Sequence, residues 1–82
     1  MSPRARKPAL PPAGTLVAIL WEDASFSLDE HVGTLELITV GWITKIDRKA
    51  VTVAGEQSSS GDDRRSYTSI PRSLVRLVRE LA

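Results

Sequence analysis

The chain has 82 residues, no cysteine and a formal net charge of +1. That length holds one domain with a small core, and the missing thiols exclude disulfide staples and thiolate zinc sites. No stretch approaches the roughly 18 consecutive apolar residues of a membrane span, and the opening MSPRARKPALPPAG lacks the apolar centre of a secretory signal.

The reading is therefore of a soluble chain that is not exported. Its charge is segregated. Residues 1–13 carry Arg4, Arg6 and Lys7 and no acid. Residues 14–36 carry Glu22, Asp23, Asp29, Glu30 and Glu36 and no Lys or Arg. Residues 37–82 carry eight basic and five acidic side chains. Such a distribution favours attraction between segments or between subunits. The bland alternative is scattered surface charge, which is worth little residue by residue.

Taken in chain order, residues 1–13 hold Pro3, Pro8, Pro11 and Pro12. Proline fixes φ and removes a donor, so a flexible, extended basic arm is expected before a domain over 14–82. Leu16 to Trp21, LVAILW, is continuously apolar. Over so short a run this reads as a strand covered on both faces, or a short buried helix, and the strand is preferred. Residues 24–33 (ASFSLDEHVG) are polar and acidic. They read as a long loop with one helical turn, Ser27 being a good N-cap and Asp29 and Glu30 suiting a helix start.

The stretch LELITVGWITKID reads as a long strand. Ile38, Val40, Trp42, Thr44 and Ile46 alternate with Leu37, Thr39, Gly41, Ile43 and Lys45, and the first set is the more apolar. Trp42 is read as core. Gly41 suggests a bulge or a strong bend. A turn at Asp47-Arg48-Lys49 leads to a strand from Ala50 to Gln57, and a polar loop, SSSGDDRR, to a strand from Ser66 to Ile70. Pro71 ends that ladder. The last segment has helical spacing at Leu74, Leu77, Val78 and Leu81, but the topology needs a closing strand there. A 3₁₀ turn over Pro71–Leu74 and a strand from Val75 are preferred to a terminal helix.

The fold class expected is thus all-β, a small five-stranded SH3-like or Sm-like barrel with a Pro-rich basic arm. The segments WEDA, TVGWI, AVTVAGE and SIPRSLVRLVREL resemble a group of short proteins of bacteriophages and prophages. The strand order and the strand–Pro–turn–strand ending are also similar to the Sm-like fold of the RNA chaperone Hfq. That resemblance implies ring-like oligomers joined by pairing of the last two strands. It implies a bacterial cytoplasmic or virion-associated location and a possible nucleic-acid ligand. The Hfq family's aromatic-Lys-His-Ala turn is replaced by Ile70-Pro71-Arg72-Ser73, so its uridine pocket does not carry over, while Arg72 stays available for a phosphate.

No catalysis is expected, nor any cofactor or metal. The single histidine, His31, shares a loop with Ser27 and Asp29, and alternate residues on one loop do not converge into a relay. Asp29, Glu30 and His31 lack metal-ligand spacing. Two binding readings remain. The first is a non-enzymatic assembly module, a homo-oligomer or a partner of phage structural or host proteins. Its interface candidates are Ser66, Tyr67, Thr68, Ser69 and Ile70 on one edge, with Val75 and Leu77 on the other. The alternative is binding of RNA or single-stranded DNA. Here Arg4, Arg6 and Lys7 form an arm, Lys45, Arg48 and Lys49 flank one hairpin, Arg64, Arg65 and Arg72 sit on a second loop and turn, and Tyr67 is a stacking ring.

Overall fold

The computed structural model of the chain describes residues 8–23, 27–28, 31–32 and 35–82. Five strands make one antiparallel sheet: β1 (Leu16–Asp23), β4 (Leu35–Ile46), β5 (Ala50–Gln57), β6 (Arg64–Pro71) and β7 (Val75–Glu80). Their order is β6-β5-β4-β1-β7. Two short strands, β2 (Ser27–Leu28) and β3 (His31–Val32), pair with each other. The expected helical turn after Ser27 is thus replaced by a ladder. Pairing satisfies backbone groups that one isolated helical turn leaves open.

The C-terminal alternative resolves in favour of the strand. Arg72–Leu74 form the 3₁₀ turn and β7 follows directly. The sheet does not close into a hydrogen-bonded barrel, because β6 and β7 are its two edges and share no ladder. Pro71, which offers no N–H, ends β6, and the three-residue turn carries the chain straight to the other edge. The edges still curl towards one core, since Ile70 of β6 and Val75 of β7 belong to the same buried cluster.

That core lies on one face of the sheet. Val17, Ile19, Ile43, Val51, Val53 and Ile70 are fully buried, and Val75 nearly so. Trp21, Ile46 and Val78 pack partly buried around them. Leu10, from the Pro-rich segment, packs on the same cluster. The ladder between β1 and β4 extends past its strand end through Gly14 N–H to the Ile43 carbonyl (2.7 Å) and Ile43 N–H to the Thr15 carbonyl (2.9 Å).

Two irregularities bend the sheet: one between Leu20 and Trp21 against β7, one between Ile43 and Lys45 against β5. Gly41 lies just before the second and has a different task. It is buried against β5, where an added Cβ would collide with the Ala54 carbonyl and sit 2.7 Å from Val53 Cγ1. Its value is close backbone approach, not a bulge of its own.

Gly41→Ala should therefore cost about 2–4 kcal/mol of stability in urea unfolding, because backbone must shift. Gly55→Ala is the contrast. A Cβ there meets Ser66 atoms at 3.5 and 3.6 Å, ordinary contact, and the change should stay within about 1 kcal/mol.

Candidate functional site

The alternation in β4 runs opposite to the usual rule. Leu37, Thr39, Gly41 and Ile43 turn inward while Ile38, Val40 and Trp42 turn out, until the irregularity after Ile43 brings Ile46 back onto the core. Ile38 is 69% exposed and Val40 52%. Trp42 is half-buried and outside the core cluster, so its reading as core is corrected. It is Trp21 that packs on the core, its Nε1–H donating to Thr39 Oγ1 at 3.0 Å.

Register assembles these residues into a surface. Leu20 of β1 pairs with Ile38 of β4 on one side and Leu77 of β7 on the other; Ala18 likewise lies between Val40 and Arg79. Two cross-strand rows result, Leu77–Leu20–Ile38 and Arg79–Ala18–Val40. Leu77 is half exposed. A depression of about 250 Å³ opens among Ala18, Leu20, Ile38, Leu77 and Arg79. The continuous apolarity of LVAILW anticipated two covered faces on β1. Only Val17 and Ile19 are covered by this chain, and Ala18 and Leu20 stay half open.

Charge at the rim is divided. Arg76 and Arg79 stand on the β7 flank. On the β4 flank stands Glu36, directly opposite Glu22, an arrangement of like charges that is unfavourable alone. Arg76 relieves it by bridging Glu22 at 2.6 Å.

The basic candidates separate into two groups. Arg72 does not join Arg64 and Arg65. Its backbone N–H donates to the Lys49 carbonyl (2.8 Å) and its Nη1 to the Asp47 carbonyl (3.0 Å). Lys45, Arg48, Lys49 and Arg72 therefore gather at one pole, around the β4–β5 turn. Arg64 and Arg65 lie at the far end of the β5–β6 hairpin, since Ala50 pairs with Pro71 and Gln57 with Arg64. At strand rise the two ends are roughly 20 Å apart. There Arg64 Nε donates to Gln57 Oε1 (2.8 Å) and Arg65 lies 3.8 Å from Asp63. Tyr67 is 60% exposed, its hydroxyl donating to the Arg64 carbonyl.

Among the edge candidates, Ser66, Tyr67 and Ser69 are exposed and Thr68 is half-buried. Ile70 and Val75 are core residues and offer a neighbour only backbone. Arg4, Arg6, Lys7, Asp29 and Glu30 lie outside the described residues, as does the His31 side chain. Among the described residues no cluster of three potential metal ligands occurs, and no helix is long and apolar enough to cross a membrane.

Comparison with protein families, with curated proteins and with solved structures gave no match to this chain.

Asp47 organises the basic pole. Its Oδ1 accepts the N–H groups of Lys49 and Ala50, each at 2.8 Å. Those two bonds, helped by the positive charges of Lys45 and Arg72, hold its carboxyl below the ordinary 3.8. A carboxyl with a depressed folded pKa stabilises the fold above its unfolded pKa. That contribution is lost as pH falls through the folded value. Asp47→Ala should therefore lower the Tm at pH 7, and the gap to the unaltered chain should shrink below about pH 4. Thermal unfolding by circular dichroism from pH 7 to pH 2 checks this.

Proposed function

We propose that this chain is a non-enzymatic assembly module that associates with copies of itself through the outer face of β7, β1 and β4. The observation that carries the reading is strand β1, interior between β4 and β7, apolar on both faces but covered on one. A strand of that composition belongs inside two layers, and exposed apolar patches of this kind mark interaction sites. The strand order, with a 3₁₀ turn before the last strand, fits an SH3-like or Sm-like arrangement. Together with the resemblance to short phage proteins, this supports reading the chain as a structural or adaptor subunit of a phage-encoded assembly.

A second copy fits the rim as well as the patch. Positive charge sits on the β7 flank and Glu36 on the β4 flank. Two copies related by a two-fold axis along β1 place β7 of each over β4 of the other, so Leu77 meets Ile38 and the Arg76 flank meets Glu36. An axis across the strands would set β7 on β7 and arginine against arginine. Two sheets packed this way lie about 10 Å apart. The open edges of β6 and β7 leave room for further subunits by strand addition.

Sedimentation equilibrium tests the reading. The unaltered chain should be oligomeric. Ile38→Glu/Leu77→Glu should dissociate it, weakening association at least about a hundredfold, because Ile38 is exposed and Leu77 half-exposed, and covering the pair on both copies is worth about 3 kcal/mol or more. Its circular dichroism spectrum should be unchanged, since neither side chain is in the core. An unaltered chain that sediments as a monomer overturns the reading, as does an oligomer that the double variant leaves intact.

The basic pole supports a second reading, single-stranded nucleic-acid binding. Lys45, Arg48, Lys49 and Arg72 gather there from two separate segments, a cluster of cations able to neutralise several phosphates. Three contacts with a single strand should cost about 10- to 20-fold in affinity between 50 and 200 mM salt. Fluorescence anisotropy with a labelled uridine-rich oligonucleotide measures this. Arg48→Glu/Lys49→Glu should remove both the binding and the salt dependence. Salt-independent or absent binding by the unaltered chain excludes this reading.

A further inference from the structure

A cleft of about 450 Å³ opens on the β4–β5–β6 side, lined among others by Trp42, Gly55, Glu56, Gln57, Asp63 and Arg65. It falls in the size range of small-ligand sites. It shares no lining residue with the depression around Leu20, Ile38 and Leu77. We infer that this cleft binds the basic side chain of a peptide, a guanidinium or alkylammonium group, between the Trp42 indole and the Glu56 carboxylate.

The aromatic wall comes first. Trp42 pairs across the ladder with Ala54 and is bordered by Gly55. Neither neighbour has a side chain large enough to cover an indole. Trp42 is only half-buried and its side chain lines the cleft, which makes the indole the aromatic wall of the inferred site. Cations within about 6 Å of an indole face are attracted to it.

The charge of the lining decides between a cation and a phosphate. Glu56 and Asp63 bring two carboxylates and Arg65 one guanidinium. Arg65 is the cross-strand partner of Glu56, yet its guanidinium lies on Asp63, 3.8 Å away. Arg64 is turned to Gln57 by its Nε bond. Glu56 is left with one contact among the described residues, the Ser66 hydroxyl donating to Oε1 at 3.3 Å. A carboxylate without a cation beside an indole is a receptor for positive charge. A phosphate there would meet two carboxylates.

The backbone is distorted at the residue that orients this carboxylate. Ser66 has φ +61°, the left-handed region, and among the described residues no other non-glycine residue has a positive φ. It lies between the ladder pairs Ala54–Tyr67 and Glu56–Arg65. Such a conformation costs of order 1 kcal/mol or more and gathers at binding sites. Here it puts the hydroxyl of Ser66 on Glu56.

Titrating Nα-acetyl-L-arginine amide into the full chain, followed by the two indole N–H signals in ¹H–¹⁵N NMR spectra, tests the inference. The Trp42 signal should shift saturably, with a Kd on the order of 1–10 mM for a single side chain. The Trp21 signal, tied to Thr39, should stay still. Glu56→Gln, an exposed and near-isosteric change, should weaken binding at least about fivefold. Added salt should weaken it too. The inference is overturned by a Trp42 signal that never saturates, or by equal affinity in Glu56→Gln. It is equally overturned if uridine 5′-monophosphate, an anionic planar probe, shifts Trp42 at lower concentration than the arginine derivative.

Discussion

The sheet turns on the approach of β4 to β5 at Gly41. β4 has to serve two partners. From Leu35 to Trp42 it pairs with β1, and from Trp42 to Ile46 it pairs with β5. Where these duties overlap, the Ala54 carbonyl occupies the place a Cβ would take. The irregularity after Ile43 comes at once and re-aims the strand. Without that approach Val53 and Ile43 would not reach the cluster formed by Val17, Ile19 and Ile70. Six fully buried β-branched side chains then close over one face. This is a small core for a chain of 82 residues, so each ladder that holds it in place matters.

A core this small also explains the other face. One layer of sheet has two surfaces, and the chain has too few apolar residues beyond the sheet to cover both. Leu10, in the Pro-rich segment, packs on the inner side. Nothing among the described residues performs that service for Leu20, Ile38 and Val40. Covering them by a second copy would add apolar burial of the kind the monomer lacks, at roughly 25 cal/mol per Å². Self-association and marginal stability are on this view one property, since whatever binds only the folded form stabilises it.

Much of this architecture was legible in the residues. The apolar run LVAILW, the alternation through LELITVGWITKID and the valines of AVTVAGEQ marked their strands by period. Pro71 marked the end of β6, and the 3₁₀ turn and β7 came after it as expected. Asp47 marked its turn because its carboxylate bonds the backbone two and three residues on. What the period does not contain is which face goes inward. Trp42, read as core, is half-buried outside the core cluster, and the apolar Ile38 and Val40 beside it are exposed, because a period fixes which residues share a face and not which face is covered. Nor does the sequence contain register. Arg72 is close to Arg64 and Arg65 along the chain, but the β5–β6 ladder carries it to the opposite pole. The Trp42 cleft needs both register and the Ser66 backbone, and neither has a sequence signature. The one available signal was the unusual continuity of apolar residues in β1, which says that a cover is missing without saying from where.

The three surfaces divide the chemistry among them. The apolar face suits a like partner, because its two flanks carry opposite charge. The Lys45–Arg72 pole carries four basic groups around one carboxylate and suits phosphate. The Trp42 cleft carries an uncompensated carboxylate beside an indole and repels phosphate. A single polyanion therefore cannot run from pole to cleft along β5 and β6 without meeting Glu56 and Asp63. This argues against one continuous nucleic-acid track through all the basic residues. The proposed nucleic-acid contact is therefore limited to the pole. At the hairpin end Arg64 Nε donates to Gln57 and Arg65 lies near Asp63, which leaves Glu56 as the group that the inferred cationic ligand would meet.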